Sequence, residues 1–241
     1  MFKERGLSPE EFFIKYPPFT DHDETMSASI VVVTDFFNST FSLGKKRYPS
    51  EITHYRSVRD WAIEDGRDEE EANYIEKNLW YNPDVLFYAK PTKGAVEFSY
   101  RMHEMGFSMP VVTARLDFPE IRSNMFKDMH DSTVAWYKKW MPWVNSDDIH
   151  VQSNTEMPRD IYKAYILNKL GAGIYFEDSS QNAEAILNHT NIKVCLLSNK
   201  ILASQVGNPD LIRLSGDGGK EPDMMLAYKN FFGKPDWVAQ Y

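Results

Sequence analysis

The sequence predicts an α/β fold in which helices cover both faces of a parallel sheet. Short apolar runs rich in β-branched residues read as buried strands, and amphipathic segments closed by glycine read as the helices between them. Their alternation, with no internal repeat or low-complexity tract, is the pattern of βα units. Strands apolar on both sides belong to a sheet with both faces covered.

The elements follow in order. Residues 1–28 read as a polar N-terminal extension. Within it a short helix starts at Ser8, where SPEEFF supplies a cap, a proline at the first helical position and early acids. A Pro-Pro break and the acidic DHDE come next. Residues 30–34 are expected to be the first buried strand, because four consecutive apolar, mostly β-branched residues favour a strand at that length, and it ends at Asp35. Residues 53–82 turn helical and charged, with DEEE as a solvated face. Residues 91–106 form an amphipathic helix stopped by Gly106, and MPVVTAR is a second strand. DSTVAWYKKWM reads as helix, DDIHVQS as strand, RDIYKAYILNKLG as helix, AGIYFED as strand, QNAEAILNH as helix and KVCLLS as a last strand. Beyond residue 200 the pattern thins. GDGG reads as a plain turn, and MMLAYKNFF as a helix that packs on the core or meets another subunit.

A formal charge of −8 with acids spread along 241 residues argues against broad contact with nucleic-acid backbones. It leaves room for a small phosphorylated substrate held by local cations and a metal. Cys195 is the only cysteine, so no disulfide framework exists and a reducing compartment is expected. No apolar run is long enough to span a membrane and the N-terminus lacks a signal-peptide layout, so a soluble cytoplasmic protein is expected. The six histidines show no zinc-site spacing.

In a parallel α/β sheet the site lies beyond the carboxyl ends of the strands. The residues there are Asp35, Thr113 with Arg115, and Glu177-Asp178. The helix before the third buried strand offers Lys163 and Lys169. Clustered carboxylates bind a hard cation such as Mg²⁺, which neutralises a phosphoryl group approaching an aspartate nucleophile. A hydroxyl and an ammonium hold the remaining phosphoryl oxygens. Arg115 is a candidate contact for phosphate or substrate.

This ordering resembles the haloacid dehalogenase-like (HAD) superfamily of phosphohydrolases over residues 29–199. The family pattern is a strand followed by Asp-x-Asp-x-Thr or a variant, a strand ending in Thr or Ser, a lysine, and a strand ending in an acidic pair. VVVTDFFNS is matched to the first through Asp35, with Ser39, a candidate substrate contact, where the family has Thr or Val. PVVTAR carries the second through Thr113, and IYFEDSSQNAEAI the fourth through Glu177 and Asp178. For the third, Lys163 is preferred to Lys169. The resemblance implies a Rossmann-like core of residues 29–40 and 91–241 with a helical cap at 41–90. It also implies Mg²⁺ held by Asp35, the Phe37 carbonyl, Glu177 and Asp178. KPTKGAVEFSYRMHEMGFSMPVVTAR with STVAWYKKWMP is similar to the 5′-nucleotidase and deoxyribonucleotidase branch, which implies a nucleoside monophosphate as substrate.

On this reading Phe37 stands where the family has the second Asp, the general acid-base. Three routes stay open. An acid comes from elsewhere, such as the cap, the DHDE stretch with His22, or the substrate. The leaving group needs none, as in dehalogenases. Or the chain only binds a nucleotide or a partner. If the chain is a Mg²⁺-dependent phosphatase, phosphate release is lost in Asp35→Asn and gains rate in Phe37→Asp.

Overall fold

The computed structural model describes residues 7–152, 154, 156–197, 207–214 and 224–233. Its frame is a sheet of β1 (Pro18–Thr20), β2 (Val111–Thr113), β3 (Ile149–Val151), β4 (Ile174–Glu177), β5 (Lys193–Leu196) and β6 (Leu211–Arg213). The order is β3-β2-β1-β4-β5-β6, and every neighbouring pair is parallel. β1 is therefore a central strand, with Thr20 in register with both Val111 and Phe176.

This corrects the boundary at residue 28. Residues 18–20 lie at the centre of the core rather than in an extension. Pro18 is tolerated because it is the first residue of its strand, where its missing N–H interrupts no ladder. Close approach to this start also explains Gly173. A Cβ there would sit 2.4 Å from the Tyr16 Cα, so the chain entering β4 can pass the chain entering β1 only without a side chain.

The predicted strand at 30–34 is instead part of α2 (Ser29–Phe36), which continues as a π-helical turn through Phe41. β-Branched propensity is a weak prior that tertiary packing overrides. Val32, Val33 and Phe37 face an apolar cluster, while Val31 and Asp35 on the opposite side are exposed. Glu24 Oε1 accepts the Ile30 N–H at 2.6 Å, satisfying a donor at the helix start.

With α3 (Ser57–Glu64), α4 (Glu69–Trp80) and α5 (Pro83–Phe87), α2 forms a helical insertion between β1 and β2, built on its own cluster around Trp61, Ile75 and Leu79. Arg47 is buried here, bonded to Glu64 at 2.6 Å and Asp65 at 2.8 Å.

The remaining helices lie where their patterns place them. α1 (Pro9–Lys15) carries the capping box of Ser8 and Glu11. α1, α6 (Ala95–Glu104), α7 (Met129–Trp140) and α10 (Met224–Phe232) bury one face of the sheet. α8 (Arg159–Leu170) and α9 (Ser180–His189) bury the other. Alternate strand residues divide accordingly. Ile174 and Phe176 join the first cluster and Tyr175 the second. MMLAYKNFF, as α10, packs on the core beside α6, with the Met225 N–H donating to Lys93. β6 lies in the stretch where the sequence pattern had thinned. GDGG falls outside the described residues.

Among the described residues no helix is long and apolar enough to cross a membrane.

Candidate active site

With β1 at residues 18–20, the first residue beyond the central strand is Asp21. Its N–H donates to the Phe176 carbonyl at 2.9 Å, which anchors it beside the end of β4. Lys163, on α8, reaches between strands: Nζ lies 2.7 Å from Asp21 Oδ2 and 2.9 Å from Glu177 Oε2. All three side chains are buried. Burial pushes the Asp21 carboxyl up, Glu177 and Asp23 add to the push, and Lys163 opposes it. Burial alone would lower the Lys163 ammonium, but the charges of Asp21 and Glu177 outweigh it and hold it above the usual lysine range. Lys163 is thus a fixed cation. Lys169, two turns further along α8, is exposed.

Asp21, Glu177 and Asp178 each bring a carboxylate oxygen within 4.8 Å of the others. Glu177 is oriented by the Ser179 N–H, which donates to its Oε1 at 2.9 Å. Asp178 Oδ1 accepts a long bond from Thr25 Oγ1 at 3.5 Å. Burial and then the neighbouring charges of Glu177, Asp21 and Glu24 push the Asp178 carboxyl well up. Asp21 Oδ1 is buried with no hydrogen-bond partner among the described residues. An all-oxygen set with an unpaired buried oxygen and a surplus of negative charge fits a hard divalent cation such as Mg²⁺.

The chain after Asp21 turns sharply. The Met26 and Ser27 N–H groups both donate to the His22 carbonyl, at 2.9 and 2.8 Å, and Glu24 adopts a left-handed φ of 54°. This turn presents Asp23 to Arg115. Arg115 Nε donates to Oδ2 at 2.9 Å and Nη2 to Oδ1 at 2.5 Å, a bidentate pair. Burial would raise Asp23, but the guanidinium outweighs it and holds the carboxyl well below the usual range. His22 points elsewhere, with its ring edge-on to Trp136 and Nδ1 3.3 Å from Tyr137 Oη. Burial pushes its pKa well down, so it is a neutral core histidine.

Asp21, Asp23, Arg115, Lys163 and Asp178 line a cleft of about 660 Å³ at the carboxyl edge of the sheet. Thr113 and Ala114 line it from the end of β2, and Tyr55, Trp80 and Tyr81 of the insertion form a facing wall. The loop after β2 is tied to that insertion: Asp84 accepts the Asn124 N–H at 2.8 Å, and Lys77 pairs with Glu120 at 2.7 Å.

Thr113, Arg115, Lys163, Glu177 and Asp178 are thereby brought together, and Asp35, Phe37 and Ser39 are not. Asp35 is an exposed residue of α2. Phe37 is fully buried against Trp61, ring centroids 5.3 Å apart, and its surroundings are apolar. Ser39 is exposed and bonds the Phe36 carbonyl at 3.2 Å. The physical reason is common to all three: they ride on a helix of the insertion, away from the strand ends. Arg115, expected to contact substrate, has a carboxylate partner of its own. The residues missed are Asp21, Asp23 and Thr25. Their signal is the literal Asp-x-Asp-x-Thr spacing of TDHDET, whose four central residues, DHDE, read in the sequence as an acidic stretch and as one source from which an acid could come.

No protein-family model matches the sequence, and no curated protein sequence matches it significantly. Solved structures do share the fold. One, from Haemophilus somnus 129PT, is called a "predicted phosphoglycolate phosphatase". It is 13% identical with a TM-score of 0.54, covering 89% of this chain and 98% of its own. Another, from Clostridium difficile, is called a "putative phosphatase". It is 13% identical with a TM-score of 0.54, covering 81% of this chain and 92% of its own. Over nearly the whole of those chains, then, this protein has the HAD-like fold: a parallel Rossmann-like sheet with helices on both faces and a helical insertion after its first, central strand.

Proposed function

We propose that the protein is a Mg²⁺-dependent phosphohydrolase that acts on a small phosphorylated substrate through an aspartyl phosphate on Asp21. The observation that carries this reading is the buried, unpartnered Asp21 Oδ1 in a carboxylate cluster shared with Glu177 and Asp178. Asp21 attacks phosphorus and the ester oxygen leaves. Water then attacks the phosphoaspartate, releasing inorganic phosphate and restoring Asp21. The leaving oxygen takes its proton from solvent; Asp23, ionised beside Arg115, accepts a proton of the attacking water and passes it to solvent, so the enzyme is restored with no net proton gained or lost. Lys163 keeps the Asp21 carboxylate oriented and, with Thr113 beside it, offsets charge on the phosphoryl oxygens. Mg²⁺ bound by Asp21, Glu177 and Asp178 would neutralise the phosphoryl group, whose approach to so acidic a cleft is otherwise repulsive.

The insertion serves as the cap. Its Tyr55 and Trp80 offer aromatic faces against which a base stacks, which supports a nucleoside monophosphate as the substrate. A cytoplasmic setting belongs to the same reading and rests on Cys195, the lone and buried thiol.

The test is phosphate release from a panel of nucleoside monophosphates with Mg²⁺ and with chelator. Release should require the metal and fall about 10⁴-fold or more in Asp21→Asn. No release at any metal concentration, or a rate retained in Asp21→Asn, overturns the reading.

A further inference from the structure

Arg115, Arg159 and Lys163 all line the cleft, but they differ in what neutralises them. Arg115 is held bidentately by Asp23, and Lys163 is shared by Asp21 and Glu177. Arg159 has a neutral partner: Nη2 donates to Tyr81 Oη, and the guanidinium lies 5.3 Å from the Tyr81 ring centroid. No carboxylate of the described residues lies within ion-pair distance of it, and the neighbouring Asp160 bonds the Ile161 N–H at 2.9 Å. Arg159 is also partly buried, so its charge is partly removed from water without a counter-ion.

We propose that Arg159 is a specificity residue for a second anionic group on the substrate, separate from the phosphoryl group transferred. Residues 159 and 163 are one helical turn apart on the same face of α8, about 5–6 Å between Cβ atoms. α8 begins at the carboxyl edge of the sheet, so Arg159 lies outward of Lys163. A phosphoryl group at Asp21 and Lys163 leaves the remainder of the substrate passing Arg159 on its way to the mouth. The guanidinium fork matches a carboxylate or a phosphate, and the Tyr81 bond fixes its orientation while leaving other N–H donors for the ligand. The substrate class is an organic phosphate with a second anion several bonds from the first, of which a nucleoside bisphosphate is the nucleotide form. This rests on the phosphohydrolase reading above.

Two matched pairs test it: adenosine 3′,5′-bisphosphate against adenosine 5′-monophosphate, and 3-phosphoglycerate against glycerol 3-phosphate. Each pair differs by one anion. The wild-type protein should favour the doubly anionic member of at least one pair by about ten- to a hundredfold in kcat/KM, the worth of one charge-assisted contact. The preference should shrink to within about threefold in Arg159→Gln and be intermediate in Arg159→Lys, which keeps the charge without the fork. Wild-type ratios near one in both pairs, or a ratio unchanged in Arg159→Gln, overturn the inference even if phosphate is released. If no compound is hydrolysed, the phosphohydrolase reading fails by itself, and thermal shifts of the Mg²⁺-loaded protein decide Arg159. A larger shift with the doubly anionic member that disappears in Arg159→Gln supports the assignment. Equal shifts, or a difference that persists in the variant, overturn it.

Discussion

The chain contains two Thr-Asp pairs fourteen residues apart, Thr20-Asp21 and Thr34-Asp35, and their fates diverge completely. The first follows three residues headed by a proline; the second follows a run of isoleucine and valine. Yet Thr20 closes a central strand and Asp21 is buried among charged partners, whereas Thr34 bonds the Ile30 carbonyl 2.8 Å away inside a helix and Asp35 is exposed. A strand is made by what pairs with it. β1 is clamped between β2 and β4, so three residues suffice, and the β-branched run is free to become a helix because its apolar side chains find an apolar cluster there.

The comparison sharpens most at the residues two positions on, Asp23 and Phe37. If the first pair is the reacting one, Asp23→Asn should cost about 10²–10⁴ in the rate of phosphate release, measured at saturating Mg²⁺, with far-UV circular dichroism unchanged. The direction follows from position: Asp23 lines the same cleft as Asp21, two residues beyond it, so its carboxylate is placed to take the proton of the attacking water. Asparagine preserves the shape and removes the basicity. An unaltered rate would break the assignment of Asp23.

The second position gives a smaller and different loss. Phe37→Asp would gain rate if Phe37 stood in for a general acid. Packed against Trp61 with no exposed surface, it should instead destabilise the insertion by at least about 4 kcal/mol, since a large aromatic is lost and a carboxylate is buried without a partner. Urea denaturation followed by tryptophan fluorescence reads this. A folded Phe37→Asp protein with a higher turnover would reverse the comparison.

What could be read from the sequence divides along the same line. β2, β4 and β5 are apolar enough to announce themselves, so Thr113, Glu177 and Asp178 could be found as residues at strand ends, and the spacing to α8 was enough to prefer Lys163 to Lys169. β1 could not, because Pro18-Phe19-Thr20 carries too few residues for a periodicity and a more strand-like run lay ten residues on. The spacing of Asp21, Asp23 and Thr25 was present in the sequence but is a weak sign until a strand precedes it. The pairing of Asp23 with Arg115 spans 92 positions and had no local trace. Nor did the partnering of Arg159 by Tyr81 of the insertion, since it depends on how two units of the chain face one another across the cleft.

The smallest expected effect is at Asp35, and it is the cleanest way to separate the two Thr-Asp pairs. Asp35 lies on the exposed face of α2, opposite the side that packs on the insertion's core, and it lines no part of the cleft. Removing its charge alters neither burial nor a buried bond. Exposed substitutions of this kind fall within measurement error of neutral, so Asp35→Asn should shift the melting temperature by no more than about 2 °C. Its rate of phosphate release should stay within about twofold of the wild type, a difference of less than 0.5 kcal/mol in barrier by the usual tenfold-per-1.36 rule. Measured beside Asp21→Asn on one substrate, the two variants remove the same carboxylate from the same Thr-Asp context, so position alone accounts for whatever difference remains. Equal losses in both would mean that α2 contributes to the chemistry after all, and that the strand end is not what selects the reacting aspartate.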